Sequence, residues 1–397
     1  MGERIYETSE SVKMGFEKRK VSVKAARANR LVEGVSNSVV RTYHGLVECI
    51  GLEGRKAKYD DINYEFIGGA QDRMRKRHYD KSLRLLWKAE NTTPFLDFKD
   101  CTADERLLRK HAMSSMDAAE KKQVECLSLD EYKKFLNSQY SPREKQAIVS
   151  VLSAIGHGEA YAWLVSAELL SHVKSTGARA ALTMQVLEEA KHFVVLRELL
   201  RAFDIPIPRL SIWEYVLLEK VHKADALEKF FGMNILIEGI ALSIFGVMAS
   251  FPGLEVLRNF HLDESRHTAL PGNYLREFPL SRWEKHSPIR KLKRLSMVLP
   301  SLALIPYLEE DFAELGIDAF DFGGSVVRKV TVLAERNGFY LPVSSEQLMS
   351  SLDDLFNGYC RMTRDNHQRR SFTESETTKD PEALRVEDQV FGNVTLM

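Results

Sequence analysis

The sequence predicts an all-α fold, a four-helix bundle with additional helices on its N- and C-terminal sides. Three observations carry this. Capping signals open long apolar-periodic segments at Ser141 and Asp225, short turns fold each segment back on itself, and a carboxylate recurs at similar depth on each of four helices.

Composition sets the frame. The chain has 397 residues, of which 44% are apolar and 28% charged, as in a soluble globular protein with one large domain and additions. A formal net charge of zero gives no bias toward nucleic acid or anionic lipid. The cluster Arg73, Arg75, Lys76, Arg77, Lys81, Arg84 and Lys88 reads as a solvated helix face. Cys49, Cys101, Cys126 and Cys360 lie far apart with no C-x-x-C pair, which argues against zinc or a disulfide framework and suits a reducing cytoplasm. The first twenty residues lack the apolar core of a secretory signal, and Tyr6 stands where a myristoylation motif needs Ser or Thr. The longest apolar runs, 233–246 and 297–308, are interrupted by Glu238 and by two prolines, so no membrane span is expected. The expected location is the cytoplasm.

Residues 1–140 read as a polar helical extension without chemistry of its own. Ser141-Pro142-Arg143-Glu144 is a capping box with Pro at the first helical position, opening a helix that ends near His172. Ser175-Thr176-Gly177 is the expected turn, and a second helix runs from about Ala178 to Phe203, stopped by Pro206 and Pro208. A connection over 204–224 carries one short helix around Trp213–His222. Asp225-Ala226-Leu227-Glu228 is a second capping box, opening a third helix to about Ser250. Phe251-Pro252-Gly253 turns the chain, and a fourth helix is expected to end at Leu270, before Pro271-Gly272. Short turns make antiparallel neighbours, and the long link between the second and third helices makes a crossover, the connectivity of ferritin-like bundles. The bundle thus spans 141–272, further helices pack on it over 273–362, and 363–397 is expected to be a polar, mobile tail.

Glu189-x-x-His192 and Glu264-x-x-His267 each place a carboxylate and an imidazole on one helix face. A third copy, Glu219-x-x-His222, shows that one such motif carries little weight; lying between lysines in the crossover, it reads as surface structure. The other two have partners. Glu159 precedes Glu189 by 30 residues and Glu238 precedes Glu264 by 26, each on the preceding antiparallel helix, so both halves deliver a lone Glu and a Glu-x-x-His. Four glutamates in an apolar core need compensation, and two divalent ions carrying four positive charges would supply it. Glu168, Glu188 and Glu198 face the wrong way to replace Glu159 or Glu189. Asp263 is placed to orient an imidazole. His261 stands three residues before Glu264, as a spare ligand or a boundary histidine.

Glu188-Glu189-Ala190-Lys191-His192, Asp263-Glu264-Ser265-Arg266-His267 and Ile237-Glu238-Gly239 resemble the metal motifs of the ferritin-like di-iron carboxylate superfamily. The likeness is greatest to the branch of ribonucleotide reductase radical subunits, ligand-binding oxidases and bacterial multicomponent monooxygenases, and it covers about residues 142–271. It implies two iron ions, or a manganese–iron pair, held by Glu159, Glu189, His192, Glu238, Glu264 and His267. It also implies O₂ activation against an organic, apolar small molecule, with an electron-donor protein and a homodimer as further expectations. The departures are specific. Leu196 stands at the position of the radical-bearing Tyr, Ala162 and Met233 replace the Val–Tyr crosslink of the ligand-binding oxidases, and His261 is one residue off the third His of the aminobenzoate-type N-oxygenases. The alternatives are a radical-generating subunit, an iron-handling ferroxidase and a bundle without catalysis. Trp163, Phe193, Leu196, Ile235, Leu242 and Leu270 are the expected lining.

Overall fold

Ser141 opens its helix as the capping box requires: its Oγ accepts the Glu144 N–H at 3.2 Å, and Glu144 Oε2 accepts the Ser141 N–H at 2.8 Å. The computed structural model describes residues 22–49, 118, 130–173, 176–372 and 381–391, and every regular element among them is helical. The basic cluster at 73–88 and Cys101 and Cys126 lie outside the described residues.

In chain order the helices are α1 (Val23–Cys49), α2 (Asp130–Gln139), α3 (Pro142–Leu169), α4 (Thr176–Arg201), α5 (Ile212–His222) and α6 (Ala226–Lys229). A π-helical segment, π1 (Phe230–Ile237), leads without a break into α7 (Glu238–Met248), followed by α8 (Leu257–Glu277). Then come α9 (Arg282–His286), α10 (Pro288–Glu314), α11 (Ala319–Arg336), α12 (Ser345–Thr363) and α13 (Pro381–Phe391). α3 packs along α4, α7 along α8, and α4 and α8 meet across the centre. Leu152, Val165, Leu196, Leu199, Ile235, Leu242 and Phe245 are among the side chains sealed into the shared core. α2 clamps the turn between α7 and α8. Tyr132 and Tyr140 donate hydroxyl hydrogens to Gly253 O and Pro252 O, each at 2.5 Å, and Gly253 turns the chain at φ 83°.

Several expectations are corrected. α3 ends at Leu169, to whose carbonyl the His172 and Val173 amides bond back, and Thr176 is already helical, while Ser175 of the expected turn lies outside the described residues. The Asp225 box is half-made. Asp225 accepts the Glu228 N–H, but the Glu228 carboxylate is taken by Arg294, which donates to it at 2.8 and 2.9 Å in a fully buried pair.

The fourth helix does not stop at Leu270. α8 continues through Pro271 to Glu277. Proline removes the N–H that would bond the carbonyl four residues back, which is that of His267. Asn234 Nδ2 donates to that carbonyl at 3.1 Å, so the backbone oxygen is satisfied and the helix runs on.

Where it is described, at 363–372 and 381–391, the segment expected as a polar, mobile tail packs on the helices before it. Phe372 is buried against Phe320 and Phe356, with ring centroids 5.0 and 5.4 Å away, and Arg364 and Arg370 donate to Asp318 at 2.9 and 2.8 Å. Further on, α13 buries Ala383 and Val386 and pairs its buried Glu387 with Lys329 of α11.

Two helices, Pro142–Leu169 and Ala226–Met248, are long and apolar enough to cross a membrane, contrary to the expectation that none is. In each, most of the apolar window is buried inside the protein, as in the core helices of a bundle.

Candidate metal centre

Glu159 of α3, Glu189 and His192 of α4, Glu238 of α7, and Glu264 and His267 of α8 meet in the core, none more than 3% exposed. Their donor atoms form two overlapping groups, Glu159–Glu189–His192–Glu264 and Glu189–Glu238–Glu264–His267, within each of which the atoms lie inside 4.8 Å of one another. Each group has one imidazole Nδ1. His192 Nδ1 lies 3.0 Å from Glu264 Oε1, 3.4 Å from Glu159 Oε2 and 3.8 Å from Glu189 Oε2. His267 Nδ1 lies 3.1 Å from Glu189 Oε1, 3.3 Å from Glu264 Oε2 and 3.7 Å from Glu238 Oε2. Glu189 and Glu264 therefore turn one oxygen toward each imidazole, while Glu159 and Glu238 each serve one side.

Helix geometry makes this arrangement. Spacing i, i+3 puts each Glu and His on one face, and the α7–α8 turn returns the chain to the height of Glu238. Glu238 is the first residue after π1, and the wider π turn sets where its side chain emerges relative to the Asp225 cap. The adjoining Gly239 lets α11 close in, since a Cβ there would lie 3.0 Å from Val330 Cγ2.

A ring of polar groups holds the cluster. His192 Nε2 donates to Asp263 Oδ2 at 3.0 Å, the orienting contact expected of Asp263. His267 Nε2 donates to Glu188 Oε2, also at 3.0 Å, a partner that the sequence reading missed. Arg266 bridges the two outer carboxylates, donating to Glu188 Oε1 at 2.6 Å and Asp263 Oδ1 at 2.5 Å. Gln185 donates to Glu189 and Glu238, each at 3.2 Å, and accepts from Asn234 at 3.0 Å. Phe260 stacks on the His192 ring at 4.3 Å, with Phe245 edge-on at 6.4 Å, so aromatic carbon closes this flank. Leu196, Ile235 and Leu242 are buried as expected, whereas Trp163 is 38% exposed.

The other candidates resolve as follows. His261 is buried against Gly246 and belongs to neither donor group. Glu219 and His222 are buried, not on the surface. Tyr161 donates to Glu219 at 3.3 Å, and His222 Nε2 donates at 3.0 Å to Glu168, which also binds Lys229. Partners from α3 and α6 thus occupy that third motif, and it joins neither donor group.

The donor set fits a metal ion. Glu159 Oε2, Glu189 Oε2, His192 Nδ1 and Glu264 Oε1 are buried without a hydrogen bond of good geometry, which is costly unless a cation completes them. Charge points the same way. Burial pushes Glu238 well above the ordinary carboxylate range, with Glu189 and Glu264 adding to it, and burial pushes Glu159 up against the pull of His192. Burial also acts to raise Glu189, but His267 and His192 hold it well below the usual range. Burial opposes a charged His192, yet Asp263, Glu159, Glu189 and Glu264 raise it well above an ordinary histidine. His267 is raised likewise by Glu189 and Glu264. The cluster thus holds protons in the place of a cation, positive charge that a metal ion would supply instead, and carboxylate with imidazole suits a hard or borderline divalent ion.

No protein-family model, curated protein or solved structure matches this chain, so the description of this site rests on its own geometry.

Proposed function

We propose that the chain is a ferritin-like carboxylate-bridged two-metal protein, with iron or a manganese–iron pair at the centre, that activates O₂ to oxidise an organic, apolar small molecule. The observation that carries this reading is the sharing of Glu189 and Glu264 between two groups that each have an imidazole and a further glutamate. Two divalent ions bring four positive charges to four carboxylates, which removes the cost of ionising them in the core. When bound, such a pair supplies Lewis acidity and the electrons for reducing O₂.

The protein's own residues do the remaining work. Asp263 and Glu188 hold the Nε2 hydrogens, which leaves each Nδ1 free to bind metal. Arg266 locks those two carboxylates together, and Phe260 and Phe245 keep water from the His192 flank. Leu196, fully buried where a radical-bearing Tyr would stand, favours an oxidase or oxygenase over a tyrosyl-radical subunit.

The test is anaerobic loading with Fe(II), a count of iron per chain, then admission of O₂ with a reductant while O₂ uptake is followed. Two irons and O₂ uptake that disappears in Glu264→Ala support the reading. Many irons per chain would indicate storage, a persistent radical signal a radical subunit, and no binding a bundle without a metal role.

A further inference from the structure

A second feature lies across the helix from the carboxylate cluster. Phe231, Leu236, Ile240 and Ile244 line an apolar cavity between π1–α7 and helices α3, α5, α10, α11 and α12. On α7, Ile240 and Ile244 stand about 200–240° around the helix from Glu238, so the cavity opens on its opposite face. Its free volume of about 80 Å³ makes it a narrow slot between the helices rather than a wide chamber.

The lining is hydrocarbon with three exceptions, Glu214, Ser301 and Thr331. Ser301 donates its hydroxyl to Val298 O at 2.6 Å. Glu214, the one ionisable group in the wall, is 4% exposed. Its Oε2 accepts the Ser211 N–H at 2.7 Å in a capping box, but its Oε1 is buried with no hydrogen-bond partner. Such an oxygen is costly unless a donor reaches it. The nearest charge is of the same sign. Glu33 of α1 caps the adjacent Ile212 N–H at 2.8 Å, and among the described residues no basic side chain pairs with either carboxylate. Burial, reinforced by Glu33, pushes the Glu214 carboxyl up to about 7, a shift that a nearby cation would reverse.

We infer that this cavity binds a lipophilic primary amine, its hydrocarbon body in the pocket walled by Ile240, Val327 and Leu352 and its ammonium donating to Glu214 Oε1. A hydrocarbon wall rejects a charged tail, and one unmatched acceptor beside a second carboxylate selects a single cationic head over an anionic one. The site is independent of the metal reading, because no ligand of the cluster lines it.

The test is calorimetric titration of the full chain, near pH 7.5, with monomeric dodecylamine, dodecanol and dodecanoate. Dodecylamine should bind one per chain, about 10-fold or more tighter than dodecanoate. Glu214→Gln, which keeps a capping-box residue, should bring dodecylamine down to the affinity of dodecanol. Val327→Phe, which fills the pocket, should weaken both. Equal or tighter binding of dodecanoate to the wild type would overturn the inference. So would an undiminished amine affinity in a folded Glu214→Gln protein, or no binding of any of the three.

Discussion

His192 donates its Nε2 hydrogen to Asp263 Oδ2 across 3.0 Å, from one Glu-x-x-His helix to the other. The relation is reciprocal, since His267 of the second motif donates to Glu188 of the first at the same distance. In both motifs the acid just before the ligating glutamate serves the opposite imidazole. Replacing such partners typically costs about 10–100-fold in metal affinity. Asp263→Asn should weaken metal binding on the His192 side and Glu188→Gln on the His267 side, by amounts in that range, in a chelator-competition titration at unchanged helicity. Equal loss from both sides in either variant would contradict the cross-pairing.

The shared and unshared glutamates should differ in metal count. Glu159→Ala removes a donor from one group only and should leave one ion per chain. Glu264→Ala removes a donor from both and should leave none or a weakly held trace. Elemental analysis after gel filtration reads the difference, and equal counts in the two variants would argue against bridging.

Asn234 and Pro271 form a compensating pair around the His267 carbonyl. Asn234→Ala strips that oxygen of its donor and should cost about 1–3 kcal/mol in urea unfolding. In a Pro271→Ala background the backbone N–H returns, and the same change should cost about 1 kcal/mol less. Additive effects would show that the two do not share that carbonyl.

Stability should carry a signature of Glu214. Its folded pKa of about 7 lies above the ordinary glutamate value of 4.5, so between these values the folded state holds a proton that the unfolded chain has released. Stability therefore falls as pH rises through this window, by about 3 kcal/mol in all. The stability gain of Glu214→Gln over wild type should accordingly grow by about that amount from pH 4 to pH 8. A gain independent of pH would mean that this carboxyl does not titrate as described.

Much of the centre is legible in the sequence for a simple reason. Spacing i, i+3 and a return around Pro252-Gly253 are local rules, and they place Glu189, His192, Glu238, Glu264 and His267 together. What escapes depends on distant partners. Glu188 is legible as a poor substitute for Glu189 but not as the acceptor for an imidazole 79 residues away. Pro271 reads as a stop because Asn234, which sits 33 residues before the His267 carbonyl it satisfies, is invisible to local pattern. The π turns of 230–237 look like ordinary helix, being apolar apart from Asn234. Glu219 and His222 look like surface residues until Tyr161 and Glu168 cover them, and α13 looks like tail until Glu387 meets Lys329.

The central claim is that two ions share Glu189 and Glu264. Anomalous diffraction at the iron edge from iron-loaded crystals tests it directly. The account predicts two peaks about 3.5–4 Å apart, one beside Nδ1 of His192 and the other beside Nδ1 of His267, with both carboxylates between them. A single peak, or peaks beyond bonding reach of Glu189 and Glu264, would contradict it.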